Sequence, residues 1–279
     1  MSFKNEQVDD AQVVVSHISK TYGISHGTSR DVNRFRRVPR TLAHALNDVS
    51  LFARSGESIG ILGRNGSGKS TLLRLIAGTE VPTKGKVLVR SKPSMMGVRP
   101  ALLPHLNAWD NTRIGLLAMG LSRSEANSLV GEVVEWTGLG DEANRPMRTY
   151  SSGQAARLSF AISTVVRPKI LLVDEALATG DMGFVEKARS RMEEVLSEAG
   201  TLFLVSHSIT DVENMCSRAV WLDRGVIVAD GETAAVSGSY KKWQHLNSYG
   251  EKEAAAEQLS MSKQAYPSRE FTLIEAEGI

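Results

Sequence analysis

Apolar positions in the first ninety residues fall in short blocks separated by turn signals. Ala11 to Tyr22 opens with Val13-Val14-Val15 and predicts a strand that ends near Ser19-Lys20-Thr21-Tyr22. Leu46 to Ala53 alternates apolar and polar positions, the period of a strand with one wet face. Ser55-Gly56 marks a turn, and Glu57 to Leu62 is dense enough for a short buried strand. Thr71 to Ala77 predicts a helix, and Pro82-Thr83-Lys84-Gly85 a turn into a strand at Lys86 to Val89. Residues 23 to 43, between the first two strands, are polar and hold Arg30, Arg34, Arg36, Arg37 and Arg40. They read as a solvated loop, with contact to anionic lipid headgroups as the alternative.

From Ala101 to about Met147 the period becomes helical. Ala108 to Met119 and Arg123 to Gly138 carry apolar residues three and four apart, with Asn107 and Ser122 as N-caps. Trp109, Leu116 and Met119 in this region are either core or a cleft for a partner. A helix over Ala155 to Val166 leads to a buried strand, Ile170 to Asp174. Then come a helix (about Asp181 to Glu198), a strand (Thr201 to Val205), a short helix (Thr210 to Cys216), a strand pair (Ala219 to Asp223, Val226 to Ala229) and a helix over Gly231 to Tyr249. Residues 250 to 279 are low in apolar content and without period, the pattern of a weakly packed tail. The alternation of strands and helices makes the class α/β, with a helical region inserted over about 101 to 165.

With 33 basic and 31 acidic residues the net charge is +2, which gives no electrostatic footprint for nucleic acid. One cysteine, Cys216, allows no internal disulfide. No apolar run reaches the length of a membrane span, and residues 1 to 10 carry no apolar signal core. Any work at a membrane is therefore expected to need a partner.

The chemistry starts at Gly63-Arg64-Asn65-Gly66-Ser67-Gly68-Lys69-Ser70-Thr71, which fits G-x-x-x-x-G-K-[ST]. Glycines let backbone N–H groups approach an anion, the lysine adds positive charge on the β and γ phosphates, and the Ser70 hydroxyl suits Mg²⁺. The strand before it and the helix after it are the context this loop requires, since a helix N-terminus adds partial positive charge. The chain is expected to bind a nucleoside triphosphate. Four apolar residues ending in Asp174-Glu175 place two carboxylates at the C-terminal end of a buried strand, where α/β sheets hold ligands. Asp174 suits Mg²⁺, and Glu175 suits polarising a water that attacks the γ-phosphate.

Tyr150-Ser151-Ser152-Gly153-Gln154 lies between these two motifs, and it resembles the signature of ATP-binding cassette (ABC) ATPases. His207, in Val205-Ser206-His207-Ser208, resembles that family's switch histidine, and Ala178-Thr179-Gly180-Asp181 stands in the place of its D-loop, with Asp181 kept. Tyr22 stands where the family places an aromatic that stacks on adenine; a plain strand-end tyrosine is the other reading. The resemblance covers about residues 11 to 248. It implies a P-loop NTPase cassette with a RecA-like core, an antiparallel β subdomain and an inserted helical subdomain. It also implies ATP with Mg²⁺ and a head-to-tail homodimer sandwiching two ATP molecules. In that dimer Ser151, Ser152, Gly153 and Gln154 of one copy face the nucleotide of the other. A separate integral-membrane permease completes the assembly, with this chain peripheral on the cytoplasmic face of the cell membrane.

The wording around the signature, Arg148-Thr149-Tyr150-Ser151-Ser152-Gly153, is similar to exporters of teichoic acid, capsule and O-antigen polysaccharides. So are Val173 to Asp181 and Leu106 to Asn111. These exporters move a polymer carried on a lipid. The chain departs from the branch at Gln154, where methionine is frequent. No glutamine lies between Arg90 and Asn111, where the wider family has its Q-loop; Val98-Arg99-Pro100 stands there. About 30 residues follow Tyr249, too few for an appended carbohydrate-binding sandwich. The alternatives inside the family are an importer ATPase, which normally keeps the glutamine and a Gly-Gly signature, and a soluble cassette ATPase, which usually carries a coiled coil or two cassettes.

Overall fold

The structure is a computed structural model. It describes residues 10–25, 40–96, 102–165, 168–174, 200–206 and 208–266, with positions 184, 186–188, 190, 191, 194 and 195 of a further helix. The chain divides into two compact units, residues 1–90 with 205–279, and residues 91–204.

In the first unit, strands β1 (Ala11–Ser25), β2 (Arg40–Arg54) and β4 (Lys84–Val89) form an antiparallel sheet in the order β2-β1-β4. Their inward residues Val13, Val15, Ile18, Leu46, Leu51 and Phe52 are buried. β4 pairs with β1 only as far as Ser19↔Lys84, while β1 and β2 run on together to Ser25↔Arg40. The polar loop expected over 23 to 43 is thus strand at both ends, with Gly23 opposite Leu42 and Ile24 opposite Thr41. The pairing that makes it a strand is cross-chain, so no local period announces it. Four of the five arginines, at 30, 34, 36 and 37, lie outside the described residues.

The same unit holds strands β3 (Ser58–Leu62), β8 (Arg218–Asp223) and β9 (Val226–Glu232). β3 and β8 are parallel, β8 and β9 antiparallel. Helix α1 (Lys69–Ile76) follows β3, and the short helix α5 (Ile209–Met215) packs Val212 on β3 where Gly60 leaves no side chain in the way. Helix α6 (Thr233–Ser248) lays Tyr240 and Trp243 on Trp221 of β8, with ring centroids 5.4 and 5.3 Å apart.

The weakly packed tail expected after Tyr249 gives way to helix α7 (Lys252–Ala265), and the Tyr266 ring beyond it sits over Gly231. Its buried positions, Ala255, Gln258 and Ser262, follow one helical face. That face is small and polar, with the Ser262 hydroxyl donating to the Gln258 carbonyl at 2.9 Å, so an apolar period could not reveal it.

In the second unit, strands β5 (Ser94–Met96), β6 (Ile170–Asp174) and β7 (Thr201–Val205) lie in that order, β5 and β6 parallel. Residues 170 to 173 are fully buried, which is why they read as an unbroken apolar run. Helices α2 (Ala108–Ala118), α3 (Arg123–Thr137) and α4 (Ser152–Val165) surround a second core of Leu116, Ala126, Val130, Val133, Val134, Leu158 and Ile162. Both expected N-caps form: the Asn107 side chain accepts from the Asp110 N–H, and Ser122 and Glu125 make a reciprocal capping box. Leu116 is fully buried and is core, with Trp109 and Met119 half-buried at its margin.

A buried ion pair fixes β8. Arg218 meets both carboxylate oxygens of Asp230 at 2.6 Å, and its third nitrogen reaches the Phe52 carbonyl at 2.9 Å and Glu57 at 3.3 Å. Both side chains are under a tenth exposed. Removing Asp230 takes the two short contacts from the buried Arg218 charge and leaves it the longer one to Glu57. Asp230→Ala is expected to destabilise the chain by about 3 kcal/mol in urea denaturation; a loss below about 0.5 kcal/mol contradicts this account of the pair.

Candidate phosphate and signature sites

The phosphate loop is positioned by β3, which ends at Leu62, and by α1, which begins at Lys69. Its shape depends on two glycines. Gly63 has φ +151°, and a side chain there would come within 2.3 Å of the Leu222 carbonyl oxygen. Gly68 has φ +107°, and a side chain there would come within 2.6 Å of the Ala45 carbonyl oxygen. Any other residue collides at both positions and is strained in that backbone region. Between them the Ser67 N–H donates to the Arg64 carbonyl at 3.1 Å. The Gly225 N–H donates to the Ser67 carbonyl at 2.9 Å, and the Asn47 N–H to the Gly225 carbonyl at 2.8 Å, which ties the loop to the β8–β9 turn and to β2.

Gly68 occupies the N-cap of α1, so no side chain caps that helix and no acidic residue sits in its first turn. No side-chain cap competes with an anion at the positive end of the helix. Lys69 is buried, and its ammonium donates to the carbonyls of Gly63 at 2.7 Å and Arg64 at 3.1 Å, folded back over the loop. The Ser67 hydroxyl is buried with no hydrogen-bond partner, while a side chain on Gly66 would meet nothing within 4 Å. A cradle of uncapped amides, an orphaned hydroxyl, a held cation and open space fit a polyphosphate. The residues expected here, Gly63 to Thr71, stand together in one loop and the first turn of α1.

Tyr22 lies on β1 with its hydroxyl donating to a Glu80 carboxylate oxygen at 2.5 Å. The other Glu80 oxygen accepts from Arg74 of α1 at 2.6 Å. The Tyr22 hydrogen bond first, and Arg74 with it, holds the Glu80 carboxyl below the usual carboxylate range against the opposing effect of burial. Sequence reading missed Glu80 and Arg74; the partners of that contact are 58 residues apart and no motif names them.

In the second unit Asp174 ends β6, half-buried, at the C-terminal edge of a parallel strand pair. Glu175, Asp181 and His207 lie outside the described residues, as do Val98, Arg99 and Pro100. Among the described residues no group of three or more His, Cys, Asp or Glu converges. Each unit carries one hard oxygen donor of the kind that suits Mg²⁺, the Ser70 hydroxyl in the first and the Asp174 carboxylate in the second.

The signature residues form the start of α4, which begins at Ser152, three residues before the expected Ala155. The Ser151 hydroxyl accepts from the Gln154 N–H at 3.2 Å, and the Gln154 side-chain oxygen accepts from the Ser151 N–H at 2.8 Å. This is a capping box, and its S-x-x-Q spacing was present in the sequence. The Gln154 amide also donates to the Glu142 carboxylate, and the Tyr150 hydroxyl to the Glu142 carbonyl at 3.0 Å. Gln154 therefore anchors the first turn of α4, while Ser151 and Ser152 are exposed at its positive end.

Residues 46–178 match the family model described as ABC transporter. The teichoic acids export ATP-binding protein TagH of Listeria innocua is 34% identical over 92% of this chain and 80% of its own length. The protein of the same name from Staphylococcus saprophyticus is 34% identical over 84% of this chain and 89% of its own. That of Bacillus cereus is 35% identical over 82% of this chain but only 42% of its own length. Among solved structures, one described as the ATP binding subunit of an ABC transporter superposes with a TM-score of 0.65 at 20% identity, covering 91% of this chain and 99% of that one. The post-hydrolysis dimer of the ATP-binding cassette MJ0796 bound to ADP and Pi superposes with a TM-score of 0.64 at 23% identity, covering 79% and 98%. The fold is that of these ATPase cassettes.

Lys69 supplies a cation folded over the loop, and hydrogen bonds to charged groups contribute about 1.5–3 kcal/mol each. Lys69→Ala is expected to weaken ATP binding by roughly 10- to 100-fold in a calorimetric titration; unchanged affinity contradicts the assignment of the loop.

Proposed function

This chain belongs to the ABC transporter family, and from that premise we propose that it is the ATP-hydrolysing subunit of an exporter. The cargo class we infer is a lipid-linked cell-surface polysaccharide of teichoic-acid, O-antigen or capsule type. The observation that carries the nucleotide half is the uncapped, glycine-bounded loop with Lys69 folded over it. The export half is supported by the names of the relatives from Listeria innocua and Staphylococcus saprophyticus and by the wording around the signature.

The residues take the following roles in this reading. The loop amides and Lys69 bind the phosphates, and the Tyr22 ring stacks on adenine. The Ser70 hydroxyl and the Asp174 carboxylate hold Mg²⁺, which neutralises phosphate charge when bound. Glu175 takes a proton from the attacking water; that water's oxygen bonds to the γ-phosphorus as the bond to the ADP oxygen breaks. His207 contacts the γ-phosphate and reports its presence. Ser151, Ser152 and Gly153 of a second copy meet the same phosphate at the positive end of α4, with Gln154 fixing that helix start and Asp181 between the copies. ATP thus closes a homodimer and hydrolysis opens it, a population shift driven by differential binding. Among the described residues no helix is long and apolar enough to cross a membrane. The transport path in this reading is a separate permease, with the chain peripheral on the cytoplasmic face.

Glu175→Gln is expected to bind ATP, hold the closed dimer and lose hydrolysis. Tagged Glu175→Gln chain, recovered from solubilised membranes with ATP present, is expected to bring a multi-span membrane protein in stoichiometric amount. Turnover at the parent rate removes Glu175 from its role. Recovery with soluble ribosomal or DNA-bound partners alone overturns the transport reading.

A further inference from the structure

β1 loses one neighbour just before Tyr22. Its last pairing with β4 is Ser19↔Lys84, the Thr21 N–H then donates to the Thr83 hydroxyl at 3.1 Å, and Tyr22 stands opposite Ala43 of β2. Past the end of the β1–β4 ladder, a large side chain needs something besides strand pairing to fix its ring. Here that is a carboxylate. Glu80, in the connection between α1 and β4, accepts the Tyr22 hydroxyl at 2.5 Å on one oxygen and the Arg74 guanidinium at 2.6 Å on the other. The Lys20 ammonium lies 3.4 Å from the same carboxylate and 5.1 Å from the centroid of the Tyr22 ring, and it donates to the Val81 carbonyl at 2.8 Å.

Glu80 is itself held in place. Its N–H, with that of Thr79, donates to the carbonyl of Arg74, at 3.3 and 3.1 Å. Arg74 also donates to the Thr71 hydroxyl at 3.3 Å, and Thr71 closes the phosphate loop. The carboxylate and the lysine are mostly sheltered, at 23% and 16% side-chain exposure, so the contacts are less screened than a surface pair. A chain of polar contacts therefore runs from the tyrosine to the first turn of α1.

We propose that Glu80 is a positioning residue for the nucleotide base: by gripping the Tyr22 hydroxyl and tying it through Arg74 to Thr71, it presets the Tyr22 ring relative to the phosphate loop. The proposal rests on the reading of Tyr22 as the adenine-stacking residue. Its physical basis is preorganisation. A ring already held in its bound orientation loses less freedom when the base arrives, so more of the stacking energy appears as affinity. The lysine above the ring further limits where the ring can turn. A tie that only staples β1 to the connection after α1 would use the same contacts, and the two roles differ in one respect: a positioning residue acts only through Tyr22.

The test is a double-mutant cycle on ATP affinity, measured by calorimetry with the full chain and with thermal melting as a fold control. Tyr22→Ala is expected to weaken ATP binding about tenfold, the size of a base–aromatic stack. Glu80→Ala is expected to weaken it roughly three- to tenfold in the parent chain and to have no further effect in the Tyr22→Ala background. Tyr22→Phe, which keeps the ring and removes only the hydroxyl, is expected to match Glu80→Ala and serves if Glu80→Ala does not fold. Equal losses from Glu80→Ala in both backgrounds, or Tyr22→Phe binding ATP as the parent does, overturn the proposal while leaving the stacking reading intact. Full affinity in Tyr22→Ala removes the stacking reading and the proposal with it.

Discussion

The chain depends on a stretch of backbone that has no side chain to cap it. An α-helix leaves its first N–H groups unpaired, and most helices meet that need with a serine, aspartate or asparagine. Helices α2 and α3 do so with Asn107 and Ser122. α1 has Gly68 at that position, with φ +107° and a neighbouring carbonyl where a Cβ would sit. No side chain caps this helix start, and the rest of the first unit holds it in place. β3 is buried on both faces, and the loop carbonyls are engaged by Lys69, Ser67 and Gly225. The result is a helix start open to an anion beside a buried Ser67 hydroxyl without a partner, and the family membership says what fills it.

The signature uses the opposite solution. α4 is capped by its own Ser151 and Gln154, and Glu142 holds the Gln154 amide from outside the helix. A capped helix is a stiffer one, and its exposed first turn presents a preset surface with a partial positive charge. In the proposed function two helix starts in one chain take two roles: one is open for the phosphates of its own nucleotide, the other is finished by its cap, suited to meet the nucleotide of a second copy.

Much of this was legible in sequence because it is local. β6 reads directly from Ile170 to Asp174 since every position before the carboxylate is buried. The phosphate loop carries its glycines and its lysine in contiguous order. α2 and α3 announce themselves by period and cap. What escaped is non-local or lacks an apolar signal. The strand ends at 23–25 and 40–43 exist through pairing with each other. β5 is three residues that stand by pairing with β6. α7 buries alanine, glutamine and serine, which carry no hydrophobic period. α4 starts earlier than expected because a capping box extends it past its apolar pattern. Glu80 and Glu142 are single acidic residues in connections, indistinguishable in sequence from solvated ones, and only the fold brings them to Tyr22 and Gln154.

The central claim is that the amides between Gly63 and Thr71 receive the triphosphate. Hydrogen exchange read by mass spectrometry addresses those amides directly, with the full chain compared in the presence and absence of saturating ATP. The expected result is slower exchange in the peptide spanning residues 63 to 71, as amides at a helix start without a side-chain cap gain hydrogen bonds to phosphate. ATP binding with exchange in that peptide unchanged would contradict it, because the nucleotide would then be held elsewhere.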